Sequence, residues 1–179
     1  ARAVRDAQQL FRRVLVDDDA WAQFIQTCTD KEYIACDVVV DGDRTVFEYK
    51  DFGSSTWKKA SWKDFAANVK KVSCAFLKLG IKAQENIGVF SQNALPYIYT
   101  DFGAFGVRAV SIPFYATSSE QQLQFIINDA QIRFIFVGEQ EQYDKARRVQ
   151  ALCTSLERII VYDEMVSFAD HDVTTMRFS

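Results

Sequence analysis

The segment QYDKARRVQ gathers Lys145, Arg147 and Arg148 within one helical turn. Three cations at that spacing can meet a phosphate or form a solvated helix face, and by themselves they favour the solvated face. Other residues able to do chemistry are sparse. His171, the single histidine, stands in FADHDVTTMRFS with no nucleophile patterned around it, so it reads as a loop residue and triad chemistry is set aside. Cys28, Cys36, Cys74 and Cys153 form no C-x-x-C pair and have no histidine spaced to complete a zinc site, so they read as small buried hydrophobes in a reducing compartment. The run Asp17 to Asp19 reads as the capped, solvated start of a helix in preference to a metal site. Gly103 and Gly106 form a G-x-x-G inside a predicted helix and are read as packing residues that let the helix lie close against a sheet.

The elements that would position these residues follow from periodicity. Val4, Leu10, Phe11, Val14 and Leu15 recur near helical spacing, and a second helix is expected through Trp21, Phe24 and Ile25. Asp41-Gly42 between two β-rich runs is a hairpin signature, with a third short strand in TWKKASW. From residue 61 a regular alternation begins. Ser61 and Asp64 stand as N-cap and N3 of a helix that Gly80 terminates. NIGVFS, AVSIPF, IRFIFVG and RIIVYD read as buried strands. Between them lie a helix with Pro96 in its first turn, a helix capped by Ser118 or Ser119, and an amphipathic helix from about Gln140 to Leu156.

The expected fold class is therefore α/β, a mainly parallel sheet with helices on both faces plus a small antiparallel β element near the N-terminus. Residues 1–60 are expected to hold the N-terminal helices and hairpin as part of one domain, residues 61–163 the parallel core, and residues 164–179 a tail.

Composition narrows the function classes. A chain of 179 residues that is 49% hydrophobic and 25% charged suits one globular core. A net charge of -3 gives no reason to expect nucleic acid. No apolar run is long enough to span a membrane, and the start lacks the apolar core of a secretory signal, so a cytoplasmic location is expected. In parallel sheets ligands meet the loops at the carboxyl ends of the strands. The first such loop, SQNALPY, has no glycine, which argues against a flavin or nicotinamide binder, and Gly138 alone is more often a turn than a phosphate site. Phospho-receiver chemistry would want acidic residues at early strand ends, which instead carry Ser91, Phe114 and Gly138.

The order of residues resembles the N-terminal portion of the acyl-adenylate-forming (AMP-binding) superfamily, and most closely its long-chain fatty-acid CoA ligases. ASWKDF, Ala60 to Phe65, is similar to the family's first core motif. The stretch from LKLGIKAQENIGVF to YATSSEQQLQFIINDA is similar to the second, and its ending Tyr115 to Ser119 points to the long-chain ligases. The similarity covers about residues 33 to 163.

The resemblance implies a parent enzyme that converts ATP, a fatty acid and CoA into acyl-CoA, AMP and pyrophosphate, using Mg. Its phosphate loop should follow Ile159 to Asp163, and this sequence does not contain it; GSSTWKK, Gly53 to Lys59, has similar letters in the wrong order and place. The chain is thus expected to be an N-terminal domain fragment, inactive alone, with no catalytic residue, no metal ligand and no cofactor of its own. Its partners would be the rest of its polypeptide, with fatty acid and CoA in the parent, and a peripheral membrane contact stays open. The resemblance also implies Tyr115 and Lys145 as CoA contacts, although the paired glycines of some relatives are Ala116 and Thr117 here. The alternative is a free-standing, non-catalytic α/β module that binds a partner protein.

Overall fold

The structure, a computed structural model, describes residues 42–169 and 172–178. The expected helices and acidic cap before residue 41, Cys28, Cys36 and His171 lie outside the described residues, as does the first half of the Asp41-Gly42 hairpin. The antiparallel element that is described pairs β1 (Thr45–Tyr49) with β2 (Lys58–Ser61).

Ser61 then caps α1 (Trp62–Lys78): its hydroxyl oxygen accepts from the Asp64 amide at 3.1 Å, while Asp64 accepts from the Ser61 amide at 3.0 Å. Reciprocal bonds of this kind satisfy two helix donors that otherwise have no partner. Gly80, at φ +75°, follows the helix end as the left-handed residue that glycine adopts most cheaply. The chain continues through β3 (Asn86–Phe90), α2 (Leu95–Gly106), β4 (Val110–Phe114), α3 (Glu120–Asp129), β5 (Phe134–Val137), α4 (Gln140–Gln150) and β6 (Arg158–Val161). Pro96 occupies the first turn of α2, and Ser119 is the residue that caps α3.

β3 to β6 are parallel, as expected, and β7 (Thr175–Arg177) adds a fifth strand parallel to β6, so residues 164–179 contribute to the sheet as well as forming a tail. The order is β4-β3-β5-β6-β7. One face, with Phe90, Ile135, Val137 and Ile159, packs on Leu123 and Ile127 of α3 and on Ala146 and Val149 of α4. The other, with Ile87, Val89, Phe134 and Phe136, packs on Val72 and Phe76 of α1 and Ala104 of α2.

Two details differ from expectation. A Cβ on Gly103 would stand 2.5 Å from Val72 Cγ1, and one on Gly106 2.5 Å from Ser73 Oγ. The glycine pair therefore lets α2 lie close against α1, not against the sheet, and the Ser73 hydroxyl donates to the Gly103 carbonyl at 3.1 Å across that contact. Second, α4 ends at Gln150 instead of reaching Leu156. Leu152, Cys153 and Leu156 donate to carbonyls three residues back, so the chain there is a pair of tight turns that still carries Cys153 and Leu156 into the core.

Entry into β7 is fixed by Asp172, whose side chain is only 7% exposed. Burial pushes its carboxyl up, but the Thr174 and Thr175 hydroxyls and the Thr174 amide donate to it and Arg147 lies 3.5 Å away, which together hold it at about 2 against an ordinary 3.8. A depressed carboxylate contributes stability above its unfolded value and loses it as pH falls through its folded value. Urea unfolding between pH 5 and pH 2 should thus show a loss of about 2 kcal/mol from this residue below about pH 4, and Asp172→Asn should remove that component of the pH dependence.

Candidate functional site

The crossovers from β3 to β4 and from β4 to β5 run to opposite sides of β3, so the connectivity reverses between β3 and β5. In open parallel sheets the crevice above such a reversal is where ligands bind. Here it is filled by the protein's own groups. A Cβ on Gly138 would meet Ser91 Oγ at 2.5 Å and Gln92 Oε1 at 2.8 Å. The Gln92 amide donates to Glu139 Oε2 at 2.7 Å, joining the loop after β3 to the loop after β5. The Gly138 amide donates to the Phe90 carbonyl at 3.2 Å, and buried Ser91 donates to the Gln92 carbonyl at 2.9 Å. Gly138, expected as a turn residue, is instead a close-packing position at the end of β5.

Beside the closed crevice, the turn after β4 and the start of α4 are fastened together. Gln142 is 2% exposed; its carbonyl accepts from the Glu139 amide and its amide donates to the Ala116 carbonyl, both at 3.1 Å. Tyr115 projects from that turn, 87% exposed. Lys145 lies one turn beyond Gln142 on α4, its side chain 18% exposed and paired with Glu141 at 2.8 Å. The bond from Lys145 holds the Glu141 carboxyl below its usual range. Tyr115 follows the carboxyl end of β4 and Lys145 stands midway along α4, and the Gln142–Ala116 bond joins those two elements. The other two cations of the triplet diverge: Arg147 turns to Asp172, and Arg148 to Glu120 at 2.8 Å. GSSTWKK runs through the connection between β1 and β2, where Gly53 takes φ +67°, into the first two residues of β2.

A second buried polar pair lies at the exit of β6. The Tyr162 hydroxyl donates to Thr100 Oγ1 at 2.7 Å and Thr100 donates to the Pro96 carbonyl at 2.9 Å, tying α2 to the sheet. Burial drives the Tyr162 hydroxyl well above its ordinary range. Burial likewise raises the neighbouring Asp101 carboxyl, partly offset by a 2.6 Å bond from Ser111. Sequence reasoning missed Gln142, Gln92 and Glu139. The only signal available was the Glu139 to Gln142 spacing, which matches a capping box.

The family described as AMP-binding enzyme matches residues 37–176. The chain belongs to this family. Among curated relatives, the long-chain-fatty-acid-CoA ligase ACSBG1 of Bos taurus is 25% identical over 135 residues, covering 75% of this chain and 18% of the bovine protein. An ACSBG2 ligase of Xenopus laevis is 25% identical over 67% of this chain and 17% of that protein, so the chain spans less than a fifth of the length of these relatives. An uncharacterized protein of Mycobacterium tuberculosis is 28% identical over 103 residues, which make up 57% of that shorter relative. Among solved structures, coronafacic acid ligase from Pectobacterium brasiliense superposes with a TM-score of 0.63 at 17% identity, over 74% of this chain and 25% of its own. The anthranilate CoA ligase AuaEII in complex with anthranoyl-AMP gives 0.56 at 18% identity, over 58% of this chain and 20% of its own. At these identities the structures bear on fold alone, and the fold agrees.

The tight contact at the closed crevice is testable. Gly138→Ala should destabilise the chain by about 1–3 kcal/mol in urea, because Ser91 is buried and cannot give way. The double variant with Ser91→Ala should recover part of that loss, as contacting sites do in a double-mutant cycle.

Proposed function

We propose that this chain is the N-terminal portion of a long-chain fatty-acid CoA ligase, a parent enzyme that makes acyl-CoA from ATP, fatty acid and CoA by way of an acyl-adenylate. The observation that carries the reading is the family match along residues 37–176, taken with long-chain ligases among the relatives. The residues at hand do not fit ATP or Mg. The crevice over the β3–β5 reversal is occupied by Ser91, Gln92 and Glu139 side chains, and no group of three or more His, Cys, Asp or Glu that could hold a metal exists among the described residues. Adenylation is therefore assigned to the parent's remaining polypeptide, and this domain supplies a rigid α/β body for it to pack on.

CoA fits better. Tyr115 offers an exposed ring and Lys145 an ammonium whose present partner, Glu141, is itself exposed and exchangeable. These two residues are the proposed CoA contacts, with Gln142 holding their elements in register.

The short mycobacterial relative favours one second reading, a free-standing module that keeps this shape to bind a partner. The open reading frame after Ser179 separates the two. A Ser/Thr/Gly-rich loop within a few tens of residues supports the ligase, and a stop codon supports the module.

Fatty-acid-dependent exchange between ATP and pyrophosphate tests the reading directly. The full-length parent should catalyse it with long-chain acids, while the isolated chain should match the no-enzyme blank; exchange by the isolated chain would overturn the assignment. Lys145→Ala in the parent should leave adenylation unchanged and raise the apparent KM for CoA several-fold, more at low ionic strength. A solvent-screened contact of this type is worth at most about 1 kcal/mol. Equal effects on both half-reactions would return Lys145 to an ordinary surface role.

A further inference from the structure

The outer side of the α1–α2 pair carries an aromatic ridge that no described element covers. Phe102 is 48% exposed and Phe105 58%, their rings 5.9 Å apart, and Phe102 leans edge-on against Phe65 of α1 at 5.1 Å. Leu77 of α1 is also 45% exposed. Contiguous exposed aromatic surface of this kind marks a contact site, whereas single exposed apolar residues do not. α1 is also basic, with Lys63, Lys70, Lys71 and Lys78 against the single acid Asp64.

We propose that residues 1–41 of the same chain dock on this ridge, laying their apolar stripe over Phe102 and Phe105 and their acidic cluster beside the lysines of α1. Three observations select this occupant. The described chain begins at the ridge, since Gly42 and Arg44 accept from the Lys63 and Trp62 amides at 2.8 and 3.1 Å, in the first turn of α1, one turn from Phe65. The preceding segment has ample reach: 41 residues span about 60 Å even as continuous helix, and the 17 residues of α1 span about 25 Å. Its chemistry is complementary. Leu10, Phe11, Val14 and Leu15, then Trp21, Phe24 and Ile25, form apolar stripes at helical spacing. Eight acidic side chains, including Asp17, Asp18 and Asp19, stand against five basic ones in residues 1–41, opposite in sign to α1.

Limited trypsin cleavage after Arg12 and Arg13 in the intact chain, followed by mass spectrometry, tests the docking. Cleavage of a docked segment tracks the fraction transiently released. Phe105→Glu on the ridge and Phe24→Glu on the segment should each raise that cleavage rate about fivefold, with the thermal unfolding of the α/β body unchanged. Phe24→Glu decides the matter should Phe105→Glu fail to fold. Cleavage at the unsubstituted rate in the folded variants overturns the proposal. So does either competing outcome with unchanged cleavage: Phe105→Glu converting a dimer to a monomer in light scattering, which assigns the ridge to a second copy, or abolishing binding to phosphatidylcholine vesicles, which assigns it to lipid.

Discussion

Burial of β3 and β5 on both faces is the constraint from which the other elements follow. All of Phe134 to Val137 and all but the first residue of β3 are buried, so neither strand has a side that water can satisfy. Each fully buried Phe or Ile contributes on the order of 1.5–3 kcal/mol, a gain available only if helices cover both faces. α1, which leads into β3, and α2, which links β3 to β4, cover one side, while α3 and α4, which link β4 to β5 and β5 to β6, cover the other. Close packing leaves little slack, as Gly88 shows. A Cβ there would stand 2.9 Å from the Phe114 ring and 3.1 Å from Ile135, so the centre of β3 gives up a side chain to seat a larger one from β4.

The two edges of that sheet are finished differently. At the amino edge Arg133, ahead of β5, bonds Glu85 ahead of β3 at 2.7 Å and Glu157 ahead of β6 at 2.8 and 2.9 Å. One guanidinium thereby ties three strand entries, and its planar fork suits that role better than a lysine would. The same bonds hold the Glu157 carboxyl below its usual range. At the carboxyl edge the joints are neutral or singly charged side-chain bonds, Gln92 to Glu139 and Gln142 to the Ala116 carbonyl. There too Arg177, at the end of β7, donates to the Asp163 and Val166 carbonyls at 2.9 and 2.7 Å, and Tyr115 stands exposed after β4.

Most of the scaffold was legible because its signals are local. Ser61 with Asp64, Pro96, Ser119 with Gln122 and Gly80 mark helix ends through bonds spanning three or four residues, and the apolar runs mark the buried strands without reference to anything distant. What was not legible depends on distant partners. β7 is Thr175, Met176 and Arg177, too short and too polar to announce a strand, and it pairs only because β6 presents an open edge. The end of α4 was hidden because Cys153 and Leu156 keep helical apolar spacing while the backbone has already tightened into turns. For Gly103 and Gly106 sequence gives the smallness and not the neighbour, which proves to be α1. The candidate site suffered most, since the Gln142 side-chain amide finds its acceptor in a carbonyl 26 residues away.

A filled crevice at the strand reversal also bears on where a ligand can meet this domain. Reopening it would break the Gln92–Glu139 bond and the close contact of Ser91 with Gly138. The CoA contact proposed at Tyr115 needs no such rearrangement, because its ring is already in solvent and the carboxylate that pairs with Lys145 is exposed. Rigidity and access are thus divided between neighbouring loops. The loops over β3 and β5 close the sheet, and the β4 turn, held at Ala116 by Gln142, leaves the Tyr115 ring in solvent.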